Sequence, residues 1–207
     1  MGARPVEWLT SETEVGSNCH LVHSTHITND EMNAIIRADA NVVICPSTEG
    51  NLGDGFFPIS DYIKASGRWC IGSDSHITLS PFEEVRLLDY GQRLASQQRN
   101  VLLNGQPGDS AELAFQTIID NGRQATGKDA RNFFEVGEDF DALIVDGRSP
   151  LMNRASDEGR LATIIYALDS RSINGHIKRG EWLVKSGIHI NYDELLEEFS
   201  NISLFHK

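Results

Sequence analysis

The sequence predicts an α/β fold built on a parallel sheet, and two observations lead to this prediction. Short apolar runs alternate with segments of helical pattern between residues 20 and 99. Within these runs apolar and polar residues do not alternate, which is typical of strands that helices cover on both faces. The regular succession of strands and helices indicates βαβ units, in which consecutive strands lie parallel.

The predicted elements of this region follow one another in order. The strands are residues 21–22, 41–45 and 69–71, and the helices are residues 31–39, 60–65 and 81 to about 99. Thr28 predicts the start of the first helix, and Ser80 followed by Pro81 predicts the start of the third, because hydroxyl side chains cap helices and proline suits the first turn. The glycines of residues 47–58 predict a long loop.

The last third of the chain has a different pattern. Residues 111–125 predict a helix, residues 140–146 a strand, and residues 193–199 an acidic amphipathic helix. Two short strands on either side of Arg179-Gly180-Glu181 predict a β-hairpin.

Charge and composition exclude several classes of protein. The 207 residues include 18 lysines and arginines against 30 aspartates and glutamates, a formal net charge of −12. This acidic excess disfavours binding to nucleic acids or anionic membranes, which require a positive surface. There is no run of 18 apolar residues and no signal-peptide pattern. Cys19, Cys45 and Cys70 form no CxxC motif and predict free thiols in a reducing compartment, so we expect a cytoplasmic protein.

Two residues at predicted strand ends carry the most suitable chemistry. His23 follows the first strand and Asp74 follows the third, and the C-terminal edge of a parallel sheet is where sites usually lie. A histidine there can stabilise developing negative charge, and an aspartate can bind a divalent metal and accept a proton from its bound water. From the residues alone, a structural histidine and a helix-capping aspartate remain alternatives.

Further polar side chains lie close to these two in the sequence. The candidates for contacts with a substrate are Glu49, Asn51, Asp54 and His76. The first three lie in the predicted loop of residues 47–58, which suits a substrate loop or a solvated connection. The last follows Asp74 by two residues and could reach the same cavity. Arg86 and Arg93, on the next predicted helix, are expected to face solvent.

Four blocks of the sequence resemble the formimidoylglutamate deiminases, a family of the amidohydrolase superfamily. They are residues 23–26 (HSTH), 45–58 (CPSTEGNLGDGFFP), 72–76 (GSDSH) and 89–94 (DYGQRL). The similarity runs in order from about residue 4 to residue 100. Beyond that it is weaker and depends on residues 141–146 and 180–187.

The resemblance implies a (β/α)₈ barrel of the TIM type with one zinc ion, of which this chain holds the C-terminal part. Residues 1–125 would supply strands six to eight, and residues 126–207 the C-terminal segment of a small β-sandwich with a terminal helix. A full barrel needs about 250 residues, more than the 207 of this sequence, so only part of a barrel fits here. By the same resemblance, Asp74 matches the zinc ligand after strand eight and His23 the catalytic histidine after strand six. The family's other ligands and its catalytic glutamate have no match in this sequence.

The implied activity is zinc-dependent hydrolysis of N-formimino-L-glutamate to N-formyl-L-glutamate and ammonia, a step of histidine degradation. Because most of the family's ligands are missing, we expect the chain alone to be inactive. We expect it to act as a homo-oligomer or with a complementing N-terminal portion. Two alternatives stay open: a fragment of a cytosine-type or guanine-type deaminase, and a non-catalytic fragment that needs a partner chain.

Overall fold

The computed structural model describes residues 2–103, 110–128 and 134–203. The chain divides into two compact units. The first comprises Met1–Arg131 and Ser156–Ala167, and the second comprises Asn132–Ala155 and Leu168–Lys207. The segment 156–167 therefore belongs with the N-terminal part of the chain, although it lies beyond the domain boundary that the resemblance placed after residue 125.

The first unit is built on a three-stranded parallel sheet. Its strands are β1 His20–Val22, β2 Asn41–Ile44 and β3 Arg68–Ile71, in the order β1-β2-β3. Its helices are α1 Pro5–Glu12, α2 Asn29–Arg37, α3 Pro46–Leu52, α4 Ile59–Lys64, α5 Pro81–Ser96, α6 Ser110–Ala125 and α8 Arg160–Ala167; helix α7, Pro150–Arg154, lies in the second unit. Val43 on the central strand pairs with Val22 on one side and Cys70 on the other. The predicted parallel sheet is confirmed.

Side-chain caps start two of these helices at the places that the sequence predicts. Thr28 Oγ1 accepts the backbone N–H of Glu31 at 3.2 Å, and the Glu31 carboxylate accepts the N–H of Thr28 at 2.8 Å, which forms a capping box at the start of α2. Ser80 Oγ accepts the N–H of Glu83 at 3.3 Å at the start of α5. Both signals are readable in the sequence because their partners lie three residues apart.

The prediction of a loop over residues 47–58 is wrong for its first half, which forms helix α3. Pro46 occupies the first turn, and the Glu49 carboxylate accepts the N–H of Cys45 at 2.9 Å. The first four residues of the helix are buried, so packing outweighs the low helix propensity of its glycine. Gly53 ends the helix with a φ of 74°, a left-handed conformation that glycine adopts without strain.

The core of the first unit surrounds the central strand β2, and helices pack around the buried residues of this strand. Helix α6 packs against β3, and α5 packs against α3 and α8. The largest fully buried apolar side chains are Ile35, Val42, Ile44, Phe57, Ile59, Tyr62, Val85, Leu102 and Ile165. Burying one side chain of this size stabilises the folded state by about 1.5–3 kcal/mol.

The prediction that Arg86 and Arg93 face solvent is wrong, because α8 packs on this side of α5. Arg86 Nε donates to the carbonyl oxygen of Ile165 at 2.6 Å. Arg93 forms an ion pair of 2.5 Å with Asp89, whose side chain is fully buried, and its guanidinium lies 5.2 Å from the centre of the Tyr166 ring. Ile165 and Tyr166 are remote in sequence from the two arginines, so helical spacing alone could not identify these partners. Asp89, in contrast, lies four residues before Arg93, a spacing that α5 itself brings together.

The second unit contains a four-stranded antiparallel sheet. Its strands are β4 Ala142–Val145, β5 Ile173–Lys178, β6 Glu181–Lys185 and β7 Ile188–His189, in that order in the sheet. Helices α7 Pro150–Arg154 and α9 Tyr192–Ser203 also belong to it, as does a 3₁₀ turn at Ser170–Ser172. The predicted hairpin is confirmed: Arg179 and Gly180 have φ values of 52° and 80°, which a two-residue turn between antiparallel strands requires.

The second unit contains two further elements that the sequence predicts. Strand β4 lies within the predicted strand of residues 140–146, and the predicted helix of residues 193–199 lies within α9. That this region is a segment of a β-sandwich stays a prediction. Within the described residues, no helix combines the length and the apolar character that crossing a bilayer requires.

Candidate active site

The candidate site lies at the C-terminal edge of the parallel sheet in the first unit. His23 follows β1, Glu49 lies on α3 directly after β2, and Asp74 follows β3. Sheet hydrogen bonding continues into this edge, since His23 N–H donates to Val43 O at 2.9 Å and Gly72 N–H donates to Ile44 O at 3.0 Å. The parallel register therefore places the residues that follow the three strands beside one another.

The structure brings His23 together with Asp74. His23 Nε2 lies 3.7 Å from Asp74 Oδ2, which is within ion-pair range but too long for a direct hydrogen bond. On the opposite side of the ring, His23 Nδ1 lies 3.2 Å from Glu49 Oε1. The side chains of His23 and Asp74 are 34% and 42% exposed, so both are open to small molecules from solvent.

Unusual backbone conformations mark the same edge. His23 and Ser24 have φ values of 65° and 56°, and Asp74 and His76 have values of 47° and 58°. Residues other than glycine rarely adopt this left-handed conformation, and clusters of such residues occur where surrounding structure holds functional groups in place. The strain thus falls on the segments that carry the two strand-end candidates.

Glu49 is a buried carboxylate, with only 4% of its surface exposed. Burial raises its pKa, while the hydrogen bond from the Cys45 N–H and the neighbouring His23 oppose that rise. Burial, together with the charges of Glu49 and Asp74, raises the pKa of the Cys45 thiol to about 12. Cys45 therefore stays a neutral thiol at physiological pH and is not a nucleophile here.

Helix α3 also holds the turn that carries Asp74. Thr48 Oγ1 lies 2.7 Å from Ser75 Oγ and 3.2 Å from the carbonyl oxygen of Ser73. One position earlier, the Ser47 N–H and hydroxyl donate to the buried carboxylate of Glu84 at 2.9 Å and 2.6 Å. Sequence reasoning missed Thr48 and Glu84.

The available signal for these contacts was weak. Residues 47–49 are three polar residues that follow the buried strand β2 and Pro46. They lie on a helix only if the glycine-rich segment that contains them folds into a helix. Without that helix, nothing in the sequence relates them to side chains of other elements.

The remaining substrate-contact candidates lie on or just after α3 and in the turn after Asp74. Asn51 is exposed on α3, and Asp54 is partly buried just after that helix, with its N–H donating to Glu49 O at 2.9 Å. His76 is exposed in the turn after Asp74. Of the four candidates, Glu49 is the one in direct contact with His23.

The donor set does not by itself fit a zinc ion. Catalytic zinc is held by three protein ligands plus water in a tetrahedral arrangement. Across residues 2–103, 110–128 and 134–203, no group of three or more histidine, cysteine, aspartate or glutamate side chains is placed to hold a metal. His23 and Asp74 offer two donors, and Glu49 is already engaged with His23 and Cys45.

Comparison with known proteins identifies relatives along nearly the whole chain. A formimidoylglutamate deiminase from Pseudomonas aeruginosa is 35% identical over 201 residues, which cover 97% of this chain and 44% of the relative. A guanine deaminase from Rattus norvegicus is 26% identical over 165 residues, which cover 74% of this chain and 36% of the relative. The chain thus spans less than half the length of these relatives.

Solved structures agree with this relationship. An amidohydrolase from Brucella melitensis superposes with a TM-score of 0.82 at 31% identity, covering 97% of this chain and 44% of that one. A zinc-bound adenosine deaminase from Xanthomonas campestris shares the fold, with a TM-score of 0.73 at 21% identity over 90% of this chain and 41% of that one. The α/β fold is consistent with part of a TIM-type barrel. Since the model of the Amidohydrolase family also matches residues 3–183, the chain belongs to the amidohydrolase family.

Proposed function

We propose that this chain supplies part of the active site of an enzyme that hydrolyses N-formimino-L-glutamate to N-formyl-L-glutamate and ammonia. The observation that carries this proposal is the 35% identity with a formimidoylglutamate deiminase over 97% of the chain. The geometry supports hydrolysis of a C–N bond, since a histidine and a carboxylate face each other at the open edge of the sheet.

The roles of the two residues follow from their chemistry. Asp74 would accept a proton from the attacking water, and His23 would orient that water for the attack. The water oxygen forms a bond to the formimino carbon, and the bond from that carbon to the terminal nitrogen breaks. The nitrogen leaves as ammonia after taking up protons, which yields the formyl product.

Zinc is part of the proposal for the assembled enzyme. We propose Asp74 as the metal ligand that this chain contributes, because a carboxylate beside a histidine is a usual zinc donor. Since the described residues do not complete a metal shell, we expect the isolated chain to retain little zinc after gel filtration. A ratio near one zinc per chain, lost in Asp74→Ala, would contradict this expectation.

The partner proposed for activity is a chain that supplies the part of the relatives' length not matched here, or a second copy of this chain. The P. aeruginosa relative is more than twice as long as the matched region. In the described sheet, β1 and β3 are the outer strands, and an outer strand offers backbone groups for pairing with further strands. The experiment below tests both partners.

The experiment measures ammonia release by the chain alone and by the chain co-expressed with the N-terminal portion of the P. aeruginosa relative, both supplied with zinc. We expect release from N-formimino-L-glutamate only in the co-expressed form, and we expect His23→Ala and Asp74→Asn to abolish it. Activity of the chain alone, well above its His23→Ala control, would show that a homo-oligomer suffices. If neither form releases ammonia although a stable complex can be isolated, the proposed function is wrong.

A second candidate substrate class is a nucleobase, favoured by the 26% identity with a guanine deaminase. The same preparations should therefore be offered guanine and cytosine. Release of ammonia from either base, with none from N-formimino-L-glutamate, would replace the proposed substrate while keeping the amidohydrolase chemistry.

A further inference from the structure

We propose that Glu49 is a positioning residue that holds His23 in the tautomer with its proton on Nδ1, which leaves the lone pair of Nε2 directed at Asp74. This inference rests on the proposed function, in which His23 acts on the attacking water. It concerns a residue that the sequence suggested only as a substrate contact. Its contacts give it a different role.

The hydrogen bonds of Glu49 favour a proton on Nδ1 of His23. Glu49 Oε1 accepts the backbone N–H of Cys45 at 2.9 Å, and the same oxygen lies 3.2 Å from His23 Nδ1. Because Oε1 already accepts the Cys45 N–H, it serves as an acceptor toward the ring as well, so Nδ1 carries the proton in this contact. A neutral imidazole has one N–H, and therefore Nε2 has a lone pair.

Two carboxylates compete for that single proton. Glu49 Oε1 lies within hydrogen-bonding distance of the ring, whereas Asp74 Oδ2 lies 3.7 Å from Nε2. If the proton moved to Nε2, that atom would present an N–H toward Asp74 and could no longer accept a hydrogen bond from water. With the proton on Nδ1, Nε2 and Asp74 are both acceptors, and one water molecule beside the pair can donate a hydrogen bond to each.

The position of Glu49 is firmly held. Glu49 is 4% exposed, and its helix is fixed by the bonds from Ser47 to the buried carboxylate of Glu84. The preceding residue, Thr48, contacts the turn that carries Asp74. Adjacent residues of α3 thus reach the segments of both candidate catalytic groups, so the helix sets their separation.

The test reads the tautomer of His23 directly, without substrate. Long-range ¹H–¹⁵N correlation spectra of the ¹⁵N-labelled full chain distinguish a protonated Nδ1 from a protonated Nε2, and the His23→Ala spectrum assigns the signals. The spectra are recorded at a pH at which the ¹⁵N shifts show a neutral ring. We expect the Nδ1–H pattern in the wild-type chain, and an Nε2–H pattern there would overturn the proposal.

Variants identify the cause of the preference. Glu49→Ala should move the proton to Nε2, while Asp74→Ala and the surface control Asp61→Asn should leave it on Nδ1. If Glu49→Ala folds and keeps the Nδ1–H pattern, Glu49 does not set the tautomer. If it does not fold, Glu49→Gln preserves the volume and an acceptor oxygen but removes the charge. An upfield shift of the Hδ1 resonance then supports the role of Glu49, and an unchanged resonance contradicts it.

The tautomer of His23 is read without substrate, so this test is independent of whether the assembled enzyme hydrolyses N-formimino-L-glutamate. Loss of the Nδ1–H preference in Glu49→Ala, combined with absence of formiminoglutamate hydrolysis by the assembled enzyme, would retain the positioning role and reject the substrate. An Nε2–H pattern in an active enzyme would do the reverse.

Discussion

The two units of the chain contain sheets of similar size but differ in how those sheets are buried. In the first unit, three of the four residues of β2 are buried, and Val42 and Ile44 are fully enclosed. In the second unit, no residue of β6 is buried, and among the described apolar side chains Met152 and Leu168 are the ones that reach the interior. Hydrogen bonding along strands is common to both units, whereas a packed interior distinguishes the first.

This difference shows where the stability of the chain resides. Backbone hydrogen bonds exchange for bonds to water on unfolding, so each contributes little net free energy, while buried apolar area contributes directly. The second unit leaves many large apolar side chains exposed, among them Leu143, Trp182 and Phe199. We therefore expect the second unit to open at lower denaturant concentration than the first, because its interior holds less buried apolar surface.

The largest expected effect comes from truncating the interior of the first unit. Ile44→Ala should lower the free energy of unfolding of that unit by about 2–5 kcal/mol, because it leaves a cavity beside a fully buried strand. The matched change Leu143→Ala, at a side chain that is 45% exposed on β4, should cost less than about 1 kcal/mol.

Urea titrations can follow the units separately. Trp69 is buried in the first unit and Trp182 is partly exposed in the second, so variants that retain one of these tryptophans report on one unit. Trp8 must also be replaced by phenylalanine in each. Equal losses for the two truncations would show that the interiors do not differ as described.

Two glycines that lie against aromatic rings test the same contrast. A Cβ at Gly67 would lie 2.4 Å from the ring of Tyr62, which is fully buried, and a Cβ at Gly175 would lie 2.6 Å from the ring of Trp182. Gly67→Ala should destabilise the first unit by about 1–3 kcal/mol, because an enclosed ring has no space to move.

Gly175→Ala should have a smaller effect, since Trp182 is 39% exposed and its ring can swing outward. The midpoints of thermal unfolding followed by circular dichroism measure both changes. A larger loss for Gly175→Ala would mean that the second sheet is packed as rigidly as the first.

A third prediction concerns the dependence of stability on pH. Burial alone would raise the pKa of Glu31, but hydrogen bonds from the Thr28 N–H and from Arg4 outweigh it and lower the pKa below its ordinary value. An acid whose pKa is lowered on folding adds stability above its unfolded pKa of about 4.3, and this stability is lost as the pH falls through the folded pKa. Glu31→Gln should cost about 1 kcal/mol at pH 7 and progressively less below about pH 4.

Asp146 of the second unit provides the control. Arg148 lowers the pKa of Asp146, but the pair lies at the surface, where water screens it. Asp146→Asn should therefore leave the pH dependence of urea midpoints unchanged within error. A constant difference between wild type and Glu31→Gln from pH 7 to pH 3 would show that Glu31 acts by shape and not by charge.

A substitution on the outer strand β1 should have the smallest effect on stability of the changes considered. It should instead affect the association of chains. Val22 is 51% exposed there, and a lysine on an exposed edge strand opposes pairing with another chain. If the isolated chain self-associates through this edge, Val22→Lys should shift sedimentation profiles toward the monomer with little change in unfolding. Leu94→Lys, at an exposed position on α5, should not; if both variants act alike, association is through general apolar surface.

Local signals in the sequence predicted much of the fold. The caps at Thr28 and Ser80 and the turn at Arg179-Gly180 were readable because their physical partners lie within a few residues. The adjacency of His23 and Asp74 was also predictable, because parallel strands end at one edge of a sheet. What the two residues do there remains the proposal made above.

The sequence by itself determined the parallel α/β class, the helix starts and the edge at which polar side chains collect. Only the tertiary structure decided that residues 46–52 form a helix, that Glu49 bonds to His23, and that Arg93 lies against the Tyr166 ring of α8 instead of facing water. The reason is physical: capping and turn preferences depend on neighbours in the chain, whereas burial depends on elements that meet only after folding. Gly50 argues locally for a loop, and the packing of α3 against α5 overrides it.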